Sequence, residues 1–264
     1  MKNALVTGAG KRLGRAMAVY LADRGFDVAV HYATSADGAE ETAEMIRDKG
    51  RTAVTLQADL TVEAEMQALV PSAMEALGGP ITCLVNSASI FEYDTLFNGT
   101  RESWDKHMES NLRAPVVLSQ AVAAHAPEPV DDDNGEPVSQ ALVVNMLDEK
   151  IRKLTPGHMS YTIAKFGLWC FTQTAAQAAG PKMRVNAIGP GPTLIAEMQP
   201  QEHFDKQRAS AVLNRGANPS DICAALGYFL DAPAVTGQLL CVDGGQHLIW
   251  QTPDERRTAI DPAE

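Results

Sequence analysis

The chain has 264 residues, 45% hydrophobic and 21% charged, a size and balance suited to one globular α/β domain with a substantial core. A net charge of −11 argues against nucleic acid or an anionic membrane as partner. The four cysteines (Cys83, Cys170, Cys223, Cys241) are scattered without CxxC or metal-ligand spacing, no secretory leader is visible, and no apolar run approaches the ~20 residues of a spanning helix, so a cytoplasmic protein without a metal is expected.

Short apolar runs alternate with amphipathic segments of helix length. Ala4–Val6 precedes a helix over Leu13–Arg24, Val28–Val30 one over Ala36–Lys49, and Ala53–Leu56 one over Val62–Leu77. Cys83–Val85 precedes Arg101–Ala124, Ala141–Val144 precedes Met159–Ala179, and Val185–Ile188 is followed by an irregular stretch and then Pro219–Leu230. Leu239–Val242 closes the series. Strands without polar alternation, each leading to a helix, predict a doubly wound parallel sheet of seven strands, the Rossmann-type dinucleotide-binding architecture. One domain over 1–250 and a charged tail over 251–264 are expected. Residues 127–137 read as a solvated loop, and 189–216, beyond the sixth strand, as a mobile flap over a ligand crevice.

The first strand runs directly into Thr7-Gly8-Ala9-Gly10-Lys11-Arg12-Leu13-Gly14. Gly8 permits a tight turn, Gly14 lets the helix approach the sheet, and the helix N-terminus presents free N–H groups to a pyrophosphate. Strand two ends in His31-Tyr32-Ala33-Thr34-Ser35, with no carboxylate before Asp37 to hold a ribose 2′-hydroxyl. With Lys11 and Arg12 nearby, NADP(H) is expected in preference to NAD(H). Asp59-Leu60 after strand three and Asn86-Ser87-Ala88-Ser89 after strand four fall at strand C-termini facing the same crevice.

Tyr161 and Lys165, four apart, share one helical face. An ammonium beside a phenol lowers the phenol's pKa and makes it a general acid near neutrality. Tyr-x-x-x-Lys alone also describes many ordinary helix surfaces. Asp148, 13 residues before the tyrosine, is the unusual companion: an ionised carboxylate cannot donate to a ketone oxygen, and no serine lies between 140 and 159. Asp148 could instead be a helix cap or a surface carboxylate, Phe91 could be core, and Asn111 could make a structural bond.

The ordered motifs Thr7-Gly8…Gly14, Asp59, Asn86-Ser-Ala88, Asn111, Tyr161…Lys165, Pro190-Gly191 and Asp243-Gly244-Gly245 resemble those of the short-chain dehydrogenase/reductases over essentially the whole chain. Most members have Gly at the position of Arg12 and Ser at that of Asp148. Arg12, Asp148 and His31-Tyr32 resemble the pteridine reductase branch, which includes dihydromonapterin and dihydrofolate reductases of this fold. Thr34, where an Arg can hold the 2′-phosphate, and Ser87, in place of a second Asn, depart from it. The resemblance implies a pterin-type substrate and a catalytic set of Tyr161, Lys165, Asp148 and Asn111, the last holding a relay water. It further implies substrate contacts from Arg12, Ser89 and Phe91, the last stacking the pterin against the nicotinamide, cofactor contacts from Pro190 and Gly191, and a homotetramer. The alternatives are a general carbonyl or 3-oxoacyl reductase and a non-catalytic NADP(H)-binding protein.

Overall fold

A computed structural model describes residues 2–195 and 199–250; the expected tail over 251–264 lies outside the described residues. Seven strands form one parallel sheet: β1 (Asn3–Val6), β2 (Asp27–Tyr32), β3 (Ala53–Gln57), β4 (Cys83–Asn86), β5 (Ala141–Met146), β6 (Met183–Pro190) and β7 (Leu239–Val242). Their order is β3-β2-β1-β4-β5-β6-β7. The chain winds outward from β1 in both directions, so the crossovers diverge between β1 and β4 and open a crevice at their C-terminal ends.

The inner strands β1, β4 and β5 are buried at every position because helices cover both faces. On one face α1 (Arg12–Asp23), α2 (Ala36–Arg47) and α8 (Pro219–Asp231) contribute Met17, Leu21, Ile46, Leu226 and Phe229. On the other, α3 (Glu63–Leu77), α5 (Ala114–His125) and α6 (Met159–Ala179) contribute Leu69, Val70, Leu118 and Ala176. Each fully buried aliphatic or aromatic side chain contributes about 1.5–3 kcal/mol. A buried chain of amides crosses this scaffold: Asn86 Nδ2 donates to Asn145 Oδ1 (2.8 Å), and Asn145 Nδ2 donates to the Thr172 hydroxyl (2.9 Å).

Three regions differ from the sequence reading. The helix expected over 101–124 is α4 (Arg101–Met108) and α5 joined by a π-helical turn, Glu109–Arg113. The loop over 127–137 carries an exposed two-stranded ribbon, Val130–Asp131 with Val138 and Pro137 opposite. The expected flap gives its first two residues to β6 and contains a helix, α7 (Gln201–Ala209). Its two ends are tied together: Arg208 Nη1 donates to the carbonyls of Pro192 (2.9 Å) and Ala217 (2.6 Å).

Candidate active site

A cleft of about 1360 Å³ opens at the C-terminal ends of β1, β2, β4, β5 and β6. That is room for a dinucleotide and a small ring beside it. Its near end is the β1–α1 turn. Gly8 is left-handed (φ +65), and a Cβ there would come within 2.9 Å of Ala88 Cα. A Cβ on Gly14 would lie 2.3 Å from the Gly8 carbonyl oxygen, so α1 reaches the sheet only with glycine there. The Thr7 hydroxyl accepts from the N–H groups of Ser87 and Ala88 (both 2.9 Å), pinning the β4 exit beside the turn.

Lys11, Arg12 and Leu13 line the cleft, as do Tyr32, Thr34 and Ser35 at the end of β2. Asp59 and Leu60 line it from the exit of β3, where the Asp59 carboxylate accepts from the Thr61 N–H (2.9 Å) and hydroxyl (2.7 Å) and is held below its usual pKa by those donors. Ala88, Ser89, Pro190 and Gly191 complete the expected wall.

Of two further expected cofactor contacts, His31 lines the cleft and Asn86 does not, and both side chains are engaged inside the protein. Asn86 is 2% exposed and its side chain serves the buried amide chain rather than the cleft wall. His31 is 1% exposed and both ring nitrogens are used inside the protein. The Gly8 N–H donates to Nδ1 (3.1 Å), which makes Nε2 the protonated nitrogen facing the Ala58 carbonyl (3.0 Å). Burial lowers its pKa and keeps it neutral. His31 therefore shapes the glycine turn instead of presenting a donor to a phosphate. Arg12 has left-handed backbone (φ +55), and its guanidinium donates to the carbonyls of Leu194 (2.9 Å) and Ile195 (2.7 Å), tying the glycine turn to the segment above the cleft.

At the far end the Tyr161 hydroxyl donates to Asp148 Oδ2 (2.8 Å), and Asp148 Oδ1 accepts from the Lys150 N–H (2.9 Å). Asp148 is thus both the cap of the 3₁₀ turn Glu149–Ile151 and the partner of the phenol. Lys165 Nζ donates to the Met146 carbonyl (2.8 Å) and lies 5.6 Å from the Tyr161 ring centroid. The electrostatic expectation for the phenol is reversed here. Burial first, and then the Asp148 carboxylate, push Tyr161 well above its usual pKa. Burial also raises Asp148, against the Lys150 N–H and the phenol, and brings Lys165 down to about 8. Asp148 and Tyr161 thus form a hydrogen-bonded pair of acids, both shifted upward by burial, with the phenol as donor.

Phe91 stands edge-on to Tyr161 (centroids 4.7 Å) and stacks on His158 (4.0 Å, interplanar angle 7°), with 49% of its surface exposed. It forms part of the cleft wall rather than the core. Its loop is bolted to the N-terminus of α6. The Glu92 N–H donates to His107 Nε2 (3.1 Å), so His107 Nδ1 carries its proton and donates to the Ser160 hydroxyl (2.6 Å), which donates to Asp94 Oδ2 (2.6 Å). Asn111 does not line the cleft. Its amide holds Ile90 at both backbone groups, accepting from the N–H (2.9 Å) and donating to the carbonyl (2.8 Å).

Glu149, His158 and Gln246 line the cleft without having been singled out in the sequence. Adjacency to Asp148 was a signal for Glu149, and Asp243-Gly244-Gly245 preceded Gln246; nothing local marked His158. Among the described residues no group of His, Cys, Asp and Glu side chains is placed to hold a metal ion, and no helix is long and apolar enough to cross a membrane.

A family described as enoyl-(acyl carrier protein) reductase matches residues 8–247. The structure of FolM alternative dihydrofolate reductase 1 from Brucella canis, complexed with NADP, is 40% identical, with 96% of each chain covered and a TM-score of 0.88. A short-chain dehydrogenase from Burkholderia cenocepacia, also in complex with NADP, is 30% identical over 93% of this chain and 97% of its own, with a TM-score of 0.82. The 3-oxoacyl-[acyl-carrier-protein] reductase FabG of Staphylococcus epidermidis is 29% identical over 253 residues, 94% of this chain and 99% of its own. The chain belongs to the short-chain dehydrogenase/reductase family and is an NAD(P)-dependent oxidoreductase.

Proposed function

We propose that this enzyme reduces a C=N bond of a dihydropterin-type substrate with NADPH. The observation that carries this reading is the Tyr161–Asp148 hydrogen bond at the substrate end of the cleft, between a phenol and a carboxyl that burial shifts upward in pKa. A ring nitrogen needs a proton as its neighbouring carbon is reduced, and a carboxylic acid supplies one more readily than an isolated phenol. The 40% identity to the FolM structure supports the same substrate class.

The glycine turn fits a dinucleotide, because a Cβ at Gly8 or Gly14 would fill the space between turn, sheet and helix. When bound, the reduced nicotinamide supplies the hydride. Lys11, Thr34 and Ser35 would meet the adenosine 2′-phosphate, and the absence of a carboxylate at the end of β2 favours NADP(H) over NAD(H). Asp59 would accept from the adenine amino group. Lys165, its ammonium held under the Met146 carbonyl, would orient the nicotinamide ribose. Phe91, fixed from behind by His158, would stack on the pterin. Asp148 gives the proton to the ring nitrogen and is restored through Tyr161 and its neighbours. A homotetramer assembled through α4, α5 and α6 is part of the proposal.

The likeness to FabG favours a second reading, a 3-oxoacyl reductase. NADPH oxidation by the purified enzyme, assayed with dihydropterins beside 3-oxoacyl thioesters, separates the two. We expect a kcat/KM for the pterin at least a hundredfold higher; the opposite order contradicts the proposal. Asp148→Ala and Tyr161→Phe are each expected to lower pterin turnover about a hundredfold or more while NADPH binding, followed by fluorescence, persists. Unchanged turnover in either variant removes that residue's role.

A further inference from the structure

Glu149 has no place in the chemistry so far, yet its position is unusual. It follows Asp148 directly, is 8% exposed, and lines the same cleft. Its Oε2 is buried with no hydrogen-bond partner among the described residues. A buried carboxylate oxygen without a donor is costly, whereas a carboxylic acid carries its own donor. The local inventory points the same way. Gln246 Oε1, in the 3₁₀ turn packed against that of Glu149, is likewise buried without a donor. The Asp243 carboxylate, at the end of β7, has its oxygens committed to the N–H groups of Gly245 and His247 and to the His247 ring. Asp148 has one oxygen on the Lys150 N–H and the other on Tyr161.

We propose that Glu149 is the proton reservoir of the Asp148–Tyr161 pair, holding the proton that returns to Asp148 after each turnover. The inference rests on Asp148 and Tyr161 as the acid pair, not on the identity of the pterin. The proton balance is simple. Asp148 loses its proton to the substrate nitrogen and becomes a carboxylate. The Glu149 carboxyl replaces that proton through Tyr161 or water and is itself recharged from solvent, with no change of oxidation state at either residue. Like charges make each other costlier to ionise, and Asp148 is among the groups that raise Glu149. Burial, reinforced by Asp148 and Asp243 and opposed by Lys150 and Lys153, raises Glu149 to about 7, in the range where a reservoir both gives and takes a proton. Lys165, beside Asp148, and Cys241, which senses Glu149, Asp243 and Arg152, also face the cluster. Glu149 acts through Asp148 and Tyr161 and is a positioning residue for their charge.

The test uses Glu149→Gln, which keeps the shape and removes the titration, and Glu149→Asp, which keeps an ionisable group. The first readout needs no substrate: titration of the Tyr161 phenol by absorbance near 295 nm, against Tyr161→Phe as blank. Because the Glu149 charge is among those raising the phenol, Glu149→Gln should move that transition to lower pH, and Glu149→Asp should leave it near the wild-type position. The second readout is the pH profile of kcat from pH 5.5 to 9. The wild type should lose activity above about pH 7; in Glu149→Gln the loss should begin at lower pH, leaving the variant several-fold slower at pH 7.5 and less impaired at pH 6. A phenol transition and pH profile unmoved by Glu149→Gln overturn the proposal. If dihydropterins are not turned over at all, the substrate reading fails while the phenol titration still decides the role of Glu149.

Discussion

Tyr161 is tuned by its burial and by the carboxyl at its oxygen rather than by the lysine one helical turn away. The Lys165 ammonium is spent on the Met146 carbonyl, and the Asp148 carboxyl receives the phenolic hydrogen. Glu149 carries this logic into stability. Its folded pKa of about 7 stands above the ordinary 4.5, so the folded state binds the proton more tightly than the unfolded chain does. Stability from this group is full below pH 4.5 and is lost as pH rises through 7, a difference of about 3 kcal/mol. Glu149→Gln is therefore expected to raise Tm relative to wild type at pH 8 and to leave it nearly unchanged at pH 4.5; equal shifts at both pH values contradict the assignment. His31 has the opposite sign. Its folded pKa is lowered, so the unfolded chain takes the proton first, and stability is lost as pH falls below the ordinary value of 6.5. His31→Ala leaves the Gly8 N–H without its acceptor, a cost of about 1–3 kcal/mol. It should lower Tm and weaken NADPH binding about tenfold in a fluorescence titration; wild-type affinity would show that the turn does not need the imidazole.

At the scale of elements, the substrate end depends on two clamps that hold irregular backbone. One is Asn111, whose place in a π-helical turn aims its amide at both backbone groups of Ile90. The other is the chain His107–Ser160–Asp94, which fixes the Phe91 loop to the helix that carries Tyr161. Ser160→Ala breaks two buried hydrogen bonds one residue from the phenol and should cost about 2–3 kcal/mol in urea unfolding, with a larger fall in pterin turnover than in NADPH affinity. Equal losses in both would place the clamp in general stability. The alternation of apolar runs and amphipathic segments made the seven strands and most helices legible, with α6 matching at both ends. The π turn was not legible, because its residues keep helical periodicity and only the Asn111–Ile90 exchange, 21 residues apart, shows why the ladder opens. Likewise His31 and Asn86 stood at the right places for cofactor contacts, but burial and long-range partners, which a local motif does not encode, decided what they do. The glycine turn was legible because its requirement is local: φ and the space a Cβ would take.

For the whole molecule, a net charge of −11 means that an anionic dinucleotide would have to be held by local donors such as those at the turn and the helix N-terminus, against the average field. Ile163 and Phe166 on α6 and Trp104 on α4 keep about two-fifths of their surface exposed, an apolar face suited to a second copy of the chain. Sedimentation velocity should find a tetramer, with Phe166→Glu shifting it toward smaller species; a wild-type monomer contradicts the assembly. The topology itself, diverging at β1 and β4, brings the glycine turn, the Asp148–Tyr161 pair and the Phe91 wall to one crevice from segments far apart in the chain. Asp148 is proposed to make this crevice a reductase of ring nitrogens rather than of ketones. Steady-state turnover of Asp148→Ser, with a hydroxyl of the kind a ketone reductase uses, tests it most directly against dihydropterin and a 3-oxoacyl thioester in parallel. Pterin turnover should fall about a hundredfold in this variant, with NADPH affinity retained. Pterin turnover equal to wild type, or a wild type that already prefers the thioester, would contradict it.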